Sequence, residues 1–468
     1  MKILIKNTTI VTVNPAREVL ADAALVVEGN KIADLGPSVS LEKIHANVDV
    51  EIDAKGKIVF PGLVNTHTHL FQQLLKGLSD DRQVAQWFSQ MTAPCAERLT
   101  AENVYVAALA GCMETVRSGV TTLVDFMYAH PQPELSDAVI QAFKELGIRG
   151  ILARGVMTAG GKYGVSAPLR EELPAVKRDV ERLFKKFHQS SNRRVRIWLA
   201  PSTVWTNTVD SLRAMWYLAQ NNDSGMTVHI SESQFDREVA REIYGLSDIA
   251  VLESLGIAGA NLLLVHCVHP DARELRFMKY HDIKVSHNPV SNMYLSSGAA
   301  PIGKMLEMGL TVSLATDGPA SNNTMDMLEV LKGTALLQKV TTHDPTVITA
   351  ERVLEMATIE GAKALGMENE VGSLEIGKKA DLFLFNPRLS LKAIPMHNPV
   401  STLVYSSSYN NIEIVMIDGN IVLEGGKFSR VNEEEVIGRC QRQAEQLRAE
   451  VAARVPHLKE RPWRSVAF

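Results

Sequence analysis

The chain has 468 residues, 46% of them hydrophobic and 22% charged, with 49 basic against 53 acidic side chains for a formal charge of −4. At roughly 100–200 residues per domain this allows two to four domains, or one large barrel with an attached module, and it excludes disorder and collagen-like repeats. So even a balance offers no concentrated basic surface for nucleic acid or an anionic membrane, and a small, weakly charged ligand is expected instead.

The opening, MKILIKNTTIVTVNP, alternates apolar and polar residues and reads as a strand, not a signal peptide. The runs ALVVEGNKIADLG and VEIDAKGKIVFPG follow, and their Gly-Asn, Lys-Gly and Pro-Gly punctuation predicts antiparallel hairpins over residues 1–60. From 61 to 368 short, nearly continuous apolar runs alternate with stretches of helical period such as AENVYVAALAGCMETVRSG and DAVIQAFKELG. Eight runs can be counted, at 63–69, 121–126, 150–155, 196–201, 227–233, 262–268, 284–289 and 312–318. Apolar strands alternating with helices indicate a parallel sheet covered on its outer face, and eight such units predict an α/β fold of the (β/α)8 TIM-barrel type. The β texture returns in ADLFLFNP, TLVYSSS and EIVMIDGNIVLEGGKF, so residues 369–430 are expected to complete, with 1–60, one small discontinuous β-sandwich domain. The charge pattern of NEEEVIGRCQRQAEQLRAEVAARV predicts a solvated helical tail over 431–468. Cys95, Cys112, Cys267 and Cys440 form no C-x-x-C pair and suggest neither a disulfide scaffold nor a thiolate zinc site. With no apolar stretch near the roughly 20 residues that span a bilayer, a cytoplasmic location is expected.

Polar residues gather at the C-terminal ends of the eight runs: His67, His69, Asp125, Arg154, His229, Glu232, His266, His287, Asn288 and Asp317. That is the face on which barrel enzymes assemble their sites. Residues i and i+2 of a strand project to the same side, so His67 and His69 can reach one ion from the barrel mouth; the pair could equally be ordinary strand-end residues. A carboxylate ending the eighth strand lies beside the first in a closed barrel, which brings Asp317 towards both histidines. Three imidazoles, from His67, His69 and His229, plus Asp317 leave a position for water and suit Zn²⁺ in first place, with Fe²⁺ as the alternative.

These residues stand in PGLVNTHTH (61–69), SGVTTLVDF (118–126), HISES (229–233), VHCV (265–268), SHNPVSNMYLSSGAAP (286–301), TDGPASNN (316–323) and GSLEIGKKADL (372–382). The ordered series resembles the amidohydrolase superfamily, in the branch containing triazine hydrolases and the deaminases of purines, methylthioadenosine and S-adenosylhomocysteine. The resemblance implies a metal-dependent hydrolytic deaminase in which His67, His69, His229 and Asp317 bind a single divalent ion. It implies a homo-oligomer, since relatives are commonly dimers or larger.

The chemistry of the residues agrees. A lone Zn²⁺ lowers the pKa of bound water to about 7, and Asp317 can accept that water's proton as it attacks an amine-bearing ring carbon. Attack places charge on the ring nitrogen, and Glu232 is the candidate acid that protonates it, for which its pKa has to be raised. His266 is expected to orient the nucleophile or stabilise developing charge. Asn288, Ser291 and Asn292 are candidates for substrate contacts, or for hydrogen-bonding of the irregular loop backbone, and Ser321 and His266 are further candidates for substrate contacts. Arg154 is a candidate for a substrate carbonyl or carboxylate, or for pairing with a buried acid. Trp87 is a candidate for stacking on a flat ring, or for a core role. His269 and His130 are expected to be loop residues.

The ligand set fixes a reaction type and leaves the substrate open. Methylthioadenosine and adenosylhomocysteine deaminases typically carry a Gly-Pro-His-Ala-type segment after the fourth strand, whereas this chain reads Leu199-Ala200-Pro201-Ser202-Thr203-Val204-Trp205. Without that histidine, a flat substrate lacking ribose is expected: an aminopurine such as guanine or 8-oxoguanine, a pterin or an aminotriazine. Gly318 and Ser321 follow Asp317 in the form of the general deaminases. Loss of a halide or alkylamine from a triazine, deamination of S-adenosylhomocysteine or methylthioadenosine, and a catalytically silent binding or assembly protein are the alternatives.

Overall fold

The computed structural model describes residues 1–455. Eight parallel strands, β1 (Leu63–Thr68), β2 (Val120–Met127), β3 (Arg149–Val156), β4 (Val195–Pro201), β5 (Met226–Ile230), β6 (Leu262–His266), β7 (Lys284–His287) and β8 (Val312–Leu314), pair in chain order. Helices cover their outer face, so the strands are buried on both sides and read as continuous apolar runs instead of alternating ones. Several predicted runs end early. The backbone turns left-handed at Ser231 (φ 48), His266 (φ 71), Cys267 (φ 47) and Asp317 (φ 65), which stops β5 and β6 and carries polar side chains to the barrel mouth.

No ladder joins β8 to β1, and side chains close the seam instead. Asn65 Nδ2 donates to Thr316 Oγ1 at 2.8 Å, the Thr316 amide returns a bond to Asn65 Oδ1 at 3.1 Å, and Thr66 Oγ1 meets Ser313 Oγ at 2.9 Å. The Asp317 amide then donates to the His67 carbonyl at 3.1 Å, which fixes the last strand end against the first.

The terminal segments form one nine-stranded mixed sheet. Leu382–Phe385 pairs antiparallel with Ile58–Pro61 and joins the two ends of the chain. Lys2–Val11 pairs antiparallel with Val19–Glu28 but parallel with Val50–Asp53 and Ile58–Pro61, so the expected hairpins are only part of the pattern. Ile3, Ile5, Leu25 and Val27 share a core with Leu382, Leu384, Ile414 and Met416. TLVYSSS is not a strand: Pro399 begins a helix, Pro399–Ser406, whose Ser401 amide is capped by Asn398 Oδ1 at 3.0 Å. The helix Glu433–Val451 is amphipathic where a solvated one was expected. Val436, Leu447 and Val451 are buried, and Gln443 accepts from Asn103 of helix Ala101–Arg117 at 2.6 Å. Residues 456–468 of the expected tail lie outside the described residues. Among the described residues no helix is long and apolar enough to cross a membrane.

Candidate active site

His67 and His69 end β1, and His229 lies near the end of β5. His69 Nδ1 lies 2.7 Å from the Phe126 carbonyl oxygen, and His229 Nδ1 lies 2.7 Å from that of Ser202. A carbonyl oxygen only accepts, so each Nδ1 carries its ring's proton and each Nε2 is left with a lone pair. Those two Nε2 atoms face each other across 3.2 Å. His67 is wholly buried and neither of its ring nitrogens has a hydrogen-bond partner. Asp317 Oδ1 stands 3.3 Å from His67 Nε2 and 3.4 Å from His69 Nε2.

Burial pushes His67 down to about 4 and His69 and His229 to about 3, which leaves all three rings neutral at pH 7. Burial also raises the Asp317 carboxyl, but its contact with His67 and the neighbouring imidazoles outweigh that and hold it well below the usual carboxylate range. The lone pairs of His69 Nε2 and His229 Nε2 therefore converge beside an ionised Asp317, an arrangement that repels itself unless a cation stands between. The ligand atoms of His67, His69 and His229 lie within 4.8 Å of one another and, with Asp317 beside them, can hold one divalent ion. Gly318 allows this approach: a Cβ there would fall 1.9 Å from Gln72 Oε1 and 3.0 Å from His69 Cβ.

At the end of β6, His266 Nδ1 meets Asn292 Oδ1 at 2.9 Å, so Nδ1 carries a proton, and Nε2 stands 3.6 Å from Glu232 Oε2. Burial pushes the Glu232 carboxyl up to about 7 against the opposing pull of His266, with Asp236 and Asp317 reinforcing the rise. Near neutral pH it is divided between acid and carboxylate. Glu232, His266 and Asp317 share one end of a cavity of about 80 Å³. Its other walls are aromatic: Trp87, Phe88, Tyr128, Tyr163, Trp205 and Phe235.

The remaining candidates divide. Trp87 lines the cavity, and its Nε1 donates to the Ala320 carbonyl at 2.8 Å, which fixes the indole over the opening. Asn288, Ser291, Asn292 and Ser321 do not line it; they stand behind the residues that do. Ser291 and Ser321 donate to Asp317 Oδ2 at 2.6 and 3.1 Å, and the Asn288 amide lies 3.4 Å from His266 Nδ1. Arg154 is not free for a substrate. Its guanidinium binds Glu171 at 2.7 and 2.8 Å and Asp179 at 2.9 Å, the buried-acid alternative. Asp125 holds the turn after His69 by accepting from the Leu70 amide at 2.7 Å. His287 is buried away from the cavity, while His130 and His269 bond to the Met127 and Ser297 carbonyls, each at 2.8 Å.

The amidohydrolase family pattern matches residues 58–422. A 5'-deoxyadenosine deaminase of Methanobrevibacter smithii is 34% identical over 446 residues, covering 95% of this chain and 98% of the relative. The chain belongs to the amidohydrolase family. A 5-methylthioadenosine/S-adenosylhomocysteine deaminase of Carboxydothermus hydrogenoformans is 35% identical over 436 residues, 93% of this chain and 96% of that one. Among solved structures, an adenosine deaminase of Xanthomonas campestris with bound zinc shares the fold, with a TM-score of 0.89 at 24% identity over 96% and 98% of the two chains. An atrazine chlorohydrolase of Arthrobacter aurescens complexed with zinc superposes with a TM-score of 0.87 at 26% identity over 94% and 100%.

Sequence reasoning about this amidohydrolase missed most of the cavity's aromatic wall. Tyr128, Tyr163 and Phe235 lie just beyond strands or in connecting segments, where an isolated aromatic residue has no periodicity to distinguish it. Trp205 carried a signal, since it ends the segment 199–205 already singled out for its missing histidine.

Proposed function

We propose that this amidohydrolase is a hydrolytic deaminase that releases ammonia from the amino-bearing ring of an adenosine-type compound. The observation that carries the reading is Glu232: a carboxyl raised to about 7 at the same end of one cavity as the His67, His69, His229 and Asp317 cluster. His67, His69, His229 and Asp317 would hold a divalent ion, with Zn²⁺ in first place and Fe²⁺ as the alternative for such nitrogen and oxygen donors. Bound there, such an ion acidifies a water to a pKa of about 7.

The chain's own residues move the protons. Asp317, ionised and steadied by Ser291 and Ser321, accepts a proton from the attacking water. Glu232 in its acid form gives a proton to the ring nitrogen beside the carbon under attack, so negative charge never accumulates on the ring. His266, fixed by Asn292, presents its Nε2 to the same region and orients the water. Asp317 then passes the water's proton to the amine, the C–N bond breaks and ammonia departs, and the hydroxyl proton returns to Glu232 as the carbonyl forms.

Relatives named for adenosine-type nucleosides support a substrate that carries a sugar, in place of the ribose-free ring expected from the missing histidine. Ser202 of that segment lines the cavity and brings a hydroxyl in its place, whereas the Thr203 and Thr206 hydroxyls bond to each other and to the loop backbone. Ammonia release is measured from 5'-deoxyadenosine, methylthioadenosine, adenosine, guanine, 8-oxoguanine, isoxanthopterin and an aminotriazine. Preferred turnover of the adenosine-type compounds is expected. Turnover confined to free bases or triazines would overturn the sugar-bearing reading, and chloride or alkylamine release without ammonia would overturn deamination itself.

A further inference from the structure

We infer that the part of the substrate farthest from the reacting amine is uncharged and apolar, so that a 5'-deoxy or 5'-methylthio group is accepted and an amino-acid tail is disfavoured. The inference rests on the adenosine-type reading above. The cavity is divided: imidazoles and carboxylates occupy the end where the amine-bearing carbon has to lie, so the other end of a nucleoside points towards the mouth. There Tyr163, Trp205 and Phe235 form a three-ring wall, with centroids 5.6 to 6.4 Å apart and planes inclined at 74 to 86°. The Trp205 Nε1 is already committed to Asp236 Oδ1 at 2.9 Å, so what this wall offers a ligand is ring surface.

Charge sharpens the point. Among the described residues no lysine or arginine lines the cavity, whereas Glu232, Asp236 and Asp317 do. Arg154, the cation closest in sequence to the mouth end of β3, is consumed by Glu171 and Asp179. Lys162 lies 5.3 Å from the Tyr163 ring centroid but is paired with Glu242. An α-carboxylate entering this mouth is desolvated against the rings near Asp236 with no lysine or arginine beside it, while a methyl or methylthio group is stabilised by burying its surface there.

The test is the ratio of kcat/KM for methylthioadenosine to that for S-adenosylhomocysteine, measured on the holoenzyme. A ratio of about tenfold or more is expected, the effect of roughly one unpaired hydrogen-bonded charge at a partly open site. A smaller ratio, with both compounds deaminated, overturns the inference and leaves the functional reading intact. No turnover of any adenosine-type compound overturns that reading and this inference with it. Phe235→Arg places a cation at the mouth and is expected to shift the ratio towards S-adenosylhomocysteine by about tenfold. A folded Phe235→Arg enzyme with an unchanged ratio counts against the placement of the tail. If that variant fails to fold, Tyr163→Arg, at a half-exposed position, carries the same expectation.

Discussion

At the base of the barrel Arg149, fully buried at the start of β3, donates two parallel bonds to Asp381 at 2.8 and 2.9 Å, and Asp381 accepts a third from the Asp418 amide at 2.7 Å. At the mouth, His69 and His229 aim unprotonated nitrogens at each other across 3.2 Å, and His67 meets only the Asp317 carboxylate, at 3.3 Å. Both clusters bury polar groups at opposite ends of the same barrel. In the first, Arg149 Nε and Nη2 face carboxylate oxygens, which ties the terminal sheet to the barrel; in the second, the lone pairs of His69 Nε2 and His229 Nε2 face each other. An unmatched set is costly to fold and persists where something else completes it, which is the physical difference between a structural and a functional cluster.

Substitutions at the two ends test that difference. His229→Ala at the mouth removes one of the converging nitrogens and is expected to abolish metal retention and lower kcat/KM by more than about 10²-fold, beyond the usual loss from a group merely supporting a ligand. Elemental analysis and ammonia release check it together, and normal metal content with normal turnover would refute the assignment. Glu232→Gln preserves shape and the ion but has no proton to give, so kcat is expected to fall roughly 10²–10⁴-fold with metal content unchanged.

The raised pKa of Glu232 carries a sign. The active form is the acid; it predominates below about pH 7, its raised value, and is lost above it. Wild-type kcat/KM should therefore decline on the alkaline side, approaching about tenfold per pH unit. The residual activity of Glu232→Gln should lack that decline, and a variant that keeps it would move the acid elsewhere. Asn292→Ala leaves His266 unanchored and is expected to lower kcat by about 10–100-fold without loss of metal. At the base, Arg149→Met strands the Asp381 carboxylate in a dry site and is expected to destabilise the fold by about 3–5 kcal/mol in denaturant titration. The fraction that folds should retain wild-type kcat, and a large loss of kcat there would mean that the two ends are coupled.

The barrel was legible because strands buried on both faces are continuously apolar, and the converging residues because a strand end is a fixed place in that fold. His67, His69, His229, Glu232, His266 and Asp317 could be brought together at the barrel mouth from the end of the run each occupies. Arg154 could not, since the choice between substrate and buried acid depended on Glu171 and Asp179, 17 and 25 residues away in the chain. Ser291 and Ser321 were taken towards the substrate when they lie behind Asp317, because one residue of rotation, on the short helix Pro289–Tyr294 or in the turn after Asp317, exchanges the two directions. TLVYSSS failed as a strand for a local reason: its β-branched texture follows an Asn-Pro helix start.

Metal content and ammonia release, followed together as a chelator is titrated into the purified full chain and Zn²⁺ is then restored, test the mouth cluster most directly. One divalent ion per chain, with turnover falling and recovering in proportion to it, is expected. Undiminished turnover from protein stripped of its ion would contradict the role given to His67, His69, His229 and Asp317.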